Sequence, residues 1–399
     1  MCCKCNIYRS SFEYQNFTVL ADVVESTIGA AYLHGGLPLG YECVKFFDLG
    51  LRWEPIPVRI AQILARADSI IQDEEKSLVS FPRQLQDVEQ MLGYTFQRKI
   101  LLIEALTHAS YQNEEFCTPS YERMEFLGDS ILDLIVNDYL FHAPGKNYSP
   151  GHIFLRKSAM VNAHFLAYIC LNTFSMVETY MPKPNPETGV IEEISEEQEI
   201  RLSKCLLHSS PQVLEDLVNV QSRFMKTKDE LEQALTGGTI FPWAALTRLQ
   251  APKFLSDMVE SLIGAVFLDS LGQIEAVQNL LGRLGVMTGL EHMVKGDVDV
   301  LHPVSRLSLW SQRNGKDIEF DTSKEGGRVC CRVLVDGVEL EGATASDNFR
   351  GRASQEEVKF AACEAAIMQL RLRDTNASYE STKRKAKPKK TKNKGKAKE

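Results

Sequence analysis

Four carboxylates recur along one stretch of this chain. Tyr121 to Asp133 reads Y-E-R-M-E-F-L-G-D-S-I-L-D and sets Glu122, Glu125, Asp129 and Asp133 three and four residues apart. In a helix that spacing stacks all four on one face, while Met124, Phe126, Leu127, Ile131 and Leu132 supply apolar surface on the others. Stacked like charges repel unless a cation or a proton joins them. A row of acids among core residues therefore suggests a site for a hard, oxygen-seeking metal, with a solvated helix face as the plainer alternative.

A second acidic pair narrows the choice. Residues 252–270 read P-K-F-L-S-D-M-V-E-S-L-I-G-A-V-F-L-D-S, and Asp257 and Glu260 share a face of a helix whose body is Met258, Val259, Leu262, Ile263, Val266 and Phe267. Gly264-Ala265 leaves almost no side chain one turn later, which suits close approach of another helix despite the propensity cost of glycine. Two such helices packed together could present four carboxylates to one cation. The pattern also recurs near the start of the chain. Residues 20–33 match 255–268 at a constant offset of 235, pairing Asp22 with Asp257, Glu25 with Glu260 and Gly29 with Gly264, which is an internal repeat. Nothing before residue 20 resembles the row at 122–129, so the chain is expected to begin partway through a repeat unit, with Asp22 and Glu25 as half of a site.

These residues carry a family resemblance. E-R-M-E-F-L-G-D-S at 122–130 resembles the signature of the ribonuclease III family, and L-G-Y-T-F at 92–96 and L-L-I-E-A-L-T-H-A-S-Y at 101–111 resemble that family's opening helices. One and a half such units followed by a degenerate double-stranded-RNA-binding module resemble the C-terminal part of Dicer-like proteins of the divergent fungal kind. The resemblance implies a mainly α fold of all-helical endonuclease domains with a small α+β domain of order α-β-β-β-α. It implies that Glu125, Asp129, Asp257 and Glu260 bind Mg2+, with Mn2+ as a substitute, and hydrolyse double-stranded RNA for RNA silencing and antiviral defence. Glu122 and Lys253 are supporting residues, as is Asp133. Lys253 is open between neutralising a phosphate or the transition state and being an ordinary exposed lysine. Implied partners are double-stranded RNA and either a second copy, joined through the complete domain, or another ribonuclease III unit. A catalytically impaired, truncated fragment acting only as an RNA-binding or scaffold protein is the alternative. His108 sits beside an apolar helix and is expected to be packed and hydrogen-bonded rather than a general base, because a metal-activated water needs no imidazole. Asn162 is open between an RNA contact and a helix cap.

Composition fits a protein of this kind without naming it. The 399 residues are 44% hydrophobic and 25% charged, enough for two or three domains with proper cores. No run of 18 apolar residues and no apolar leader is present, so a cytoplasmic or nuclear protein without membrane association is expected. Ten cysteines lie scattered without zinc-site spacing or a disulfide framework, and reduced thiols are expected. Net charge is -8, but Lys383 to Glu399 holds ten Lys and Arg against one acid, contributing +9 and leaving -17 for the rest. Such a body needs local basic patches and divalent ions to meet a polyanion. The tail itself is expected to be disordered, holding RNA non-specifically or serving as a nuclear-import signal.

Along the chain, residues 1–50 read as the C-terminal half of a first ribonuclease III domain and 51–84 as a linker with a helix over 58–71. Residues 85–290 read as a complete second domain, 300–373 as the degenerate RNA-binding domain and 374–399 as the basic tail. In the second domain, helices are expected over about 84–92, 99–110, 120–140, 151–173, 212–236 and 251–285. An insertion near 181–210 begins with M-P-K-P-N-P-E-T-G and an acidic run that lacks apolar periodicity, and a solvated loop is expected over 181–200. In the last domain, a helix over 303–312 precedes strands at 318–322, 328–335 and 338–345, with Asp336-Gly337 as a hairpin turn. Ser354 is expected to cap the final helix, with Glu357 completing a capping box. The RNA-binding family presents lysines at the start of this helix, where the chain has Gln355, Glu356 and Glu357 and keeps only Lys359. Arg350 and Arg352 lie just before it, so Arg350, Arg352 and Lys359 are the candidates for RNA contact.

Overall fold

The computed structural model describes residues 4–50, 54–71, 84–111, 118–184, 191–325, 328–347 and 352–372. Arg350, the tail 374–399 and the centre of the insertion, 185–190, lie outside them. The chain divides into two units, Met1–Ser69 and Ile70–Glu399. No helix among the described residues is long and apolar enough to cross a membrane.

The first unit holds α1 (Lys4–Phe46), broken at Gly35–Gly36, and all but the last two residues of α2 (Ile56–Ile71). Gly36 takes φ 67°, a left-handed conformation that glycine adopts without a Cβ penalty, and Pro38 follows it. In α2, Ile60, Leu64 and Ala67 recur every three or four residues as its buried stripe.

The second unit is a helical body followed by a small mixed module. The body begins with α3 (Gln84–Leu92), α4 (Lys99–Leu106), α5 (Glu122–Phe141), α6 (Pro150–Met160) and α7 (Ala163–Asn172). The predicted helix over 151–173 is therefore two helices. Asn162 divides them, its side chain accepting a hydrogen bond from Phe165 N at 2.9 Å, so the residue left open between RNA contact and cap is a cap here. The helix predicted over 99–110 stops at Leu106, where Thr107 turns extended.

The acidic insertion is a strand hairpin rather than a solvated loop. Strands β1 (Phe174–Pro184) and β2 (Ile191–Arg201) pair antiparallel in continuous register from Phe174↔Arg201 to Pro184↔Ile191. Its base is anchored by Arg201, which is buried, donates to Leu171 O at 2.7 Å and lies over the Phe224 ring at 5.0 Å. Acids on both faces, including Glu178 opposite Glu197, erase the apolar alternation by which a strand is recognised in sequence.

The body continues through α8 (Pro211–Gly237), α9 (Trp243–Thr247), α10 (Phe254–Asp269), α11 (Ile274–Arg283) and α12 (Val286–Lys295). Helix α10 is its axis: every residue of it except Glu260 is buried. A helix apolar on all sides is stable only when surrounded, and α4, α5 and α7 surround this one. The contact with α5 is the closest. A Cβ built on Gly128 would lie 1.7 Å from Glu260 O, and one on Gly264 would lie 2.3 Å from Met124 O, so the two backbones touch where the glycines meet.

The module consists of α13 (Pro303–Asn314), the sheet β3 (Ile318–Glu325), β4 (Arg328–Val335) and β5 (Val338–Asp347) in order β3-β4-β5, and α14 (Arg352–Gln369). Leu307, Val329, Cys331, Val333, Ala343, Val358, Ala362 and Ile367 form its core. Asp336 and Gly337 take φ 54° and 76°, as a two-residue hairpin turn with both central residues left-handed requires. Helix α14 begins at Arg352, two residues before the predicted cap Ser354. Glu357 lies in the second turn and accepts a hydrogen bond from Gln250, in place of the predicted capping box.

The glycine crossing makes a sharp prediction. Gly128→Ala should destabilise the second unit by about 3 kcal/mol or more, because the added methyl meets backbone rather than a side chain that can rotate away. Gly282→Ala, at a helical glycine with nothing within 4 Å, should be neutral or stabilising by about 0.5 to 1 kcal/mol. Denaturant unfolding of the two variants checks this, and equal effects would contradict it.

Candidate metal centre

The carboxylates converge because the two glycines let α5 and α10 cross at backbone distance. Glu125 lies in the first turn of α5, Asp257 in the first turn of α10, and Glu260 one turn further. Carboxylate oxygens of Glu125, Asp257 and Glu260 all lie within 4.8 Å of one another, the one group of three or more potential metal ligands among the described residues. Asp129 is exposed and stands outside that group, yet it is close enough to raise the pKa of Glu260 by its charge. Of the four predicted ligands, three are gathered and the fourth borders them.

Lys253 is part of this arrangement. Its ammonium donates to Glu125 Oε1 at 2.7 Å and to Asp257 Oδ1 at 2.6 Å, while its side chain stays 70% exposed. Burial works against its charge, but the bonds to Asp257 and Glu125 outweigh that and hold the ammonium above its ordinary range. Glu260 is pushed up to about 8, by burial first and then by the charges of Asp129, Asp257 and Glu125. Burial also raises Asp257, with the Glu125 charge adding to it and the bonds from Lys253 and Ser256 opposing it. Asp129 is raised by burial and by Asp133. Carboxylates this close resist full ionisation unless more positive charge joins them, and all of the donors are oxygen. The set fits a hard divalent cation.

The residues around the site are explained by their contacts. Asp133, on the predicted stripe, is bound by Lys157 at 2.6 Å, and its other oxygen is buried without a partner. Glu122 is exposed at the start of α5. Arg123 does not pair with the acidic row. It grips the buried Glu104 of α4 through two bonds, one of them Nη2 to Oε2 at 2.6 Å, and so ties the first turn of α5 to the body. His108 is packed as expected: Nδ1 accepts from Ser110 N at 3.1 Å, its ring lies 6.0 Å from those of Tyr121 and Phe254, and burial lowers its pKa. Sequence reasoning missed Tyr121, whose hydroxyl donates to Asp257 Oδ2 at 3.3 Å, and Gly128, whose position between Leu127 and Asp129 in the signature was the available signal.

Asp22 and Glu25 are exposed on α1, and Gly29 has nothing within 4 Å of its built Cβ, so the repeat keeps the residue types without a gathered site. Of the candidate RNA contacts, Lys359 places its ammonium 4.5 Å over the Phe320 ring within the module. Arg352 begins α14 with its side chain outside the described residues, as is all of Arg350.

The crossing of α5 and α10 lies inside a segment that matches a known family. The ribonuclease III domain family matches residues 122–271, which run from the first residue of α5 to just past the end of α10. A Dicer-like protein 2 of Coccidioides immitis is 33% identical over 363 residues, 89% of this chain and 24% of that protein. A Dicer-like protein 2 of Phaeosphaeria nodorum is 35% identical over 335 residues, 82% of this chain and 22% of that protein. The chain thus spans about a quarter of the length of the curated relatives it matches. Residues 122–271 match the ribonuclease III domain family, in a chain that is similar over most of its length to part of the fungal Dicer-like proteins.

Proposed function

We propose that this chain is a ribonuclease III type endonuclease that hydrolyses phosphodiester bonds of double-stranded RNA at the crossing of α5 and α10, using Mg2+ or, in its place, Mn2+. The observation that carries the reading is the convergence of Glu125, Asp257 and Glu260 within 4.8 Å, inside the segment matched by the ribonuclease III family. Those three residues would hold the cation, with Asp129 beside them. A divalent cation so held supplies Lewis-acid polarisation of a phosphodiester oxygen and a water of lowered pKa.

The chain's own residues do the remaining work. Glu125, Asp257 and Glu260 fix where the reacting phosphate can lie. The Tyr121 hydroxyl and Ser256 each donate to a different oxygen of Asp257 and hold its orientation. Lys253, exposed at the mouth of the site, brings a positive charge to the place where negative charge grows on phosphate during hydrolysis. In the reaction, a water oxygen bonds to phosphorus, the bond from phosphorus to one ester oxygen breaks, and that oxygen leaves with a proton.

The biological setting we infer is production of small RNAs for silencing and antiviral defence, in keeping with kinship to Dicer-like proteins. Cutting both strands requires a second ribonuclease III unit, from a second copy or another domain. Phe126 and Phe141 on α5 and Phe154 on α6 are exposed by 79%, 57% and 62%, apolar surface of the kind such a unit would cover.

Two predictions follow from the roles assigned. Glu125→Gln and Asp257→Asn should each lower magnesium-dependent cleavage of long double-stranded RNA by about 1000-fold while leaving thermal stability equal or higher, because each removes one of the clustered like charges. Cleavage without a divalent ion, or unchanged rates in both variants, would contradict the assignment. Lys253→Ala should slow cleavage by about 10- to 100-fold yet bind Mn2+ at least as tightly as the unaltered chain, since it removes transition-state charge and no ligand. Calorimetric titration beside single-turnover cleavage separates the two effects.

A further inference from the structure

The C-terminal module meets the nuclease body through the first turns of α14. Glu356 lies 3.6 Å from His164 Nε2 on α7, and Glu357 accepts a hydrogen bond from Gln250 Nε2. Phe360 meets the His302 ring edge to face at 4.4 Å, and His302 in turn packs on Trp243 of α9 at 4.9 Å. The acidic start of the helix therefore faces protein.

Gln250 links this contact to the metal centre. It takes φ 44°, a left-handed backbone that is uncommon for a residue with a Cβ and persists where its surroundings hold it. Its N–H donates to Thr247 O at 2.9 Å, ending α9, and three residues later Lys253 opens α10. The Lys253 carbonyl accepts from Ser256 N at 3.0 Å and from Asp257 N at 3.1 Å, while its ammonium joins Asp257 to Glu125. The turn from Leu249 to Lys253 thus sets the rotation and height of the first turn of α10 against α5.

We propose that Glu357 is a positioning residue for the metal centre: by holding the Gln250 side chain, it stabilises the left-handed turn that delivers Lys253 and Asp257 to Glu125. The C-terminal module then acts on the nuclease site through α14, in addition to any contact it makes with RNA. This inference rests on the reading of Glu125, Asp257 and Glu260 as a metal centre. The physical basis is the short lever. Carboxylate oxygens must converge on one ion, and relaxation of the turn at Gln250, three residues before Lys253 and seven before Asp257, moves one of the three donors.

The test is calorimetric titration of the full chain with Mn2+, with thermal unfolding measured alongside. Glu357→Ala should weaken Mn2+ binding about fivefold with little change in Tm. Glu357→Gln, which keeps a carbonyl acceptor for Gln250, should restore binding. Gln250→Ala should show the same loss, and the double variant Glu357→Ala with Gln250→Ala should be no weaker than either single one, as expected for partners in one contact. Wild-type affinity in Glu357→Ala, failure of Glu357→Gln to restore it, or additive losses in the double variant would overturn the inference while leaving the metal centre standing. An unaltered chain that binds no Mn2+ would overturn both.

Discussion

The backbone contact between α5 and α10 at Gly128 and Gly264 is the constraint on which the rest of this helical body depends. A side chain on either glycine would strike a carbonyl of the other helix, at Glu260 or at Met124. Helices normally pack 8 to 10 Å apart, held off by their side chains. Here the approach is closer, and Glu125, Asp257 and Glu260 on the facing turns come within reach of one another as a direct result. The burial of every residue of α10 but Glu260 follows the same geometry: the helix is enclosed wherever it does not open onto the site.

That closeness has an electrostatic consequence. Burial first, and then the crowding of the neighbouring carboxylates, raises the pKa of Glu260 to about 8. Lys253 answers part of the repulsion from the mouth of the site, and Arg123, spent on Glu104, answers none of it. The remaining imbalance is what a divalent cation would relieve, so the interaction that strains the protein's charges is also the one that would give it affinity for metal.

Much of this was legible in the sequence, and the reasons it was legible are physical. Spacings of three and four residues put acids on one face, and Met258, Val259, Leu262, Ile263, Val266 and Phe267 marked the second motif as a helix with an apolar body. Gly264 could be read as a place of close approach because its neighbour is alanine, whereas Gly128, between Leu127 and Asp129, has no small neighbour to mark it. Spacing alone puts Asp129 on the same face of α5 as Glu125, yet the group within 4.8 Å holds Glu125, Asp257 and Glu260. The β1–β2 hairpin was hidden because its acids occupy both faces of the strand. Glu357 carried a local signal for a helix cap at Ser354, but the helix begins at Arg352, and Glu357 bonds Gln250, 107 residues away in sequence. In the first unit, Asp22, Glu25 and Gly29 repeat the residue types of α10, the half site expected from the sequence; Gly29 faces open space and Asp22 and Glu25 are exposed.

The most direct measurement of the central claim is an anomalous difference map from crystals of the chain grown with Mn2+. The account predicts a peak bounded by the carboxylates of Glu125, Asp257 and Glu260, beside Asp129, and its loss in the Gly128→Ala variant if that variant folds with its helices pushed apart. An ordered Mn2+ ion elsewhere in the second unit with none among these three carboxylates would contradict it.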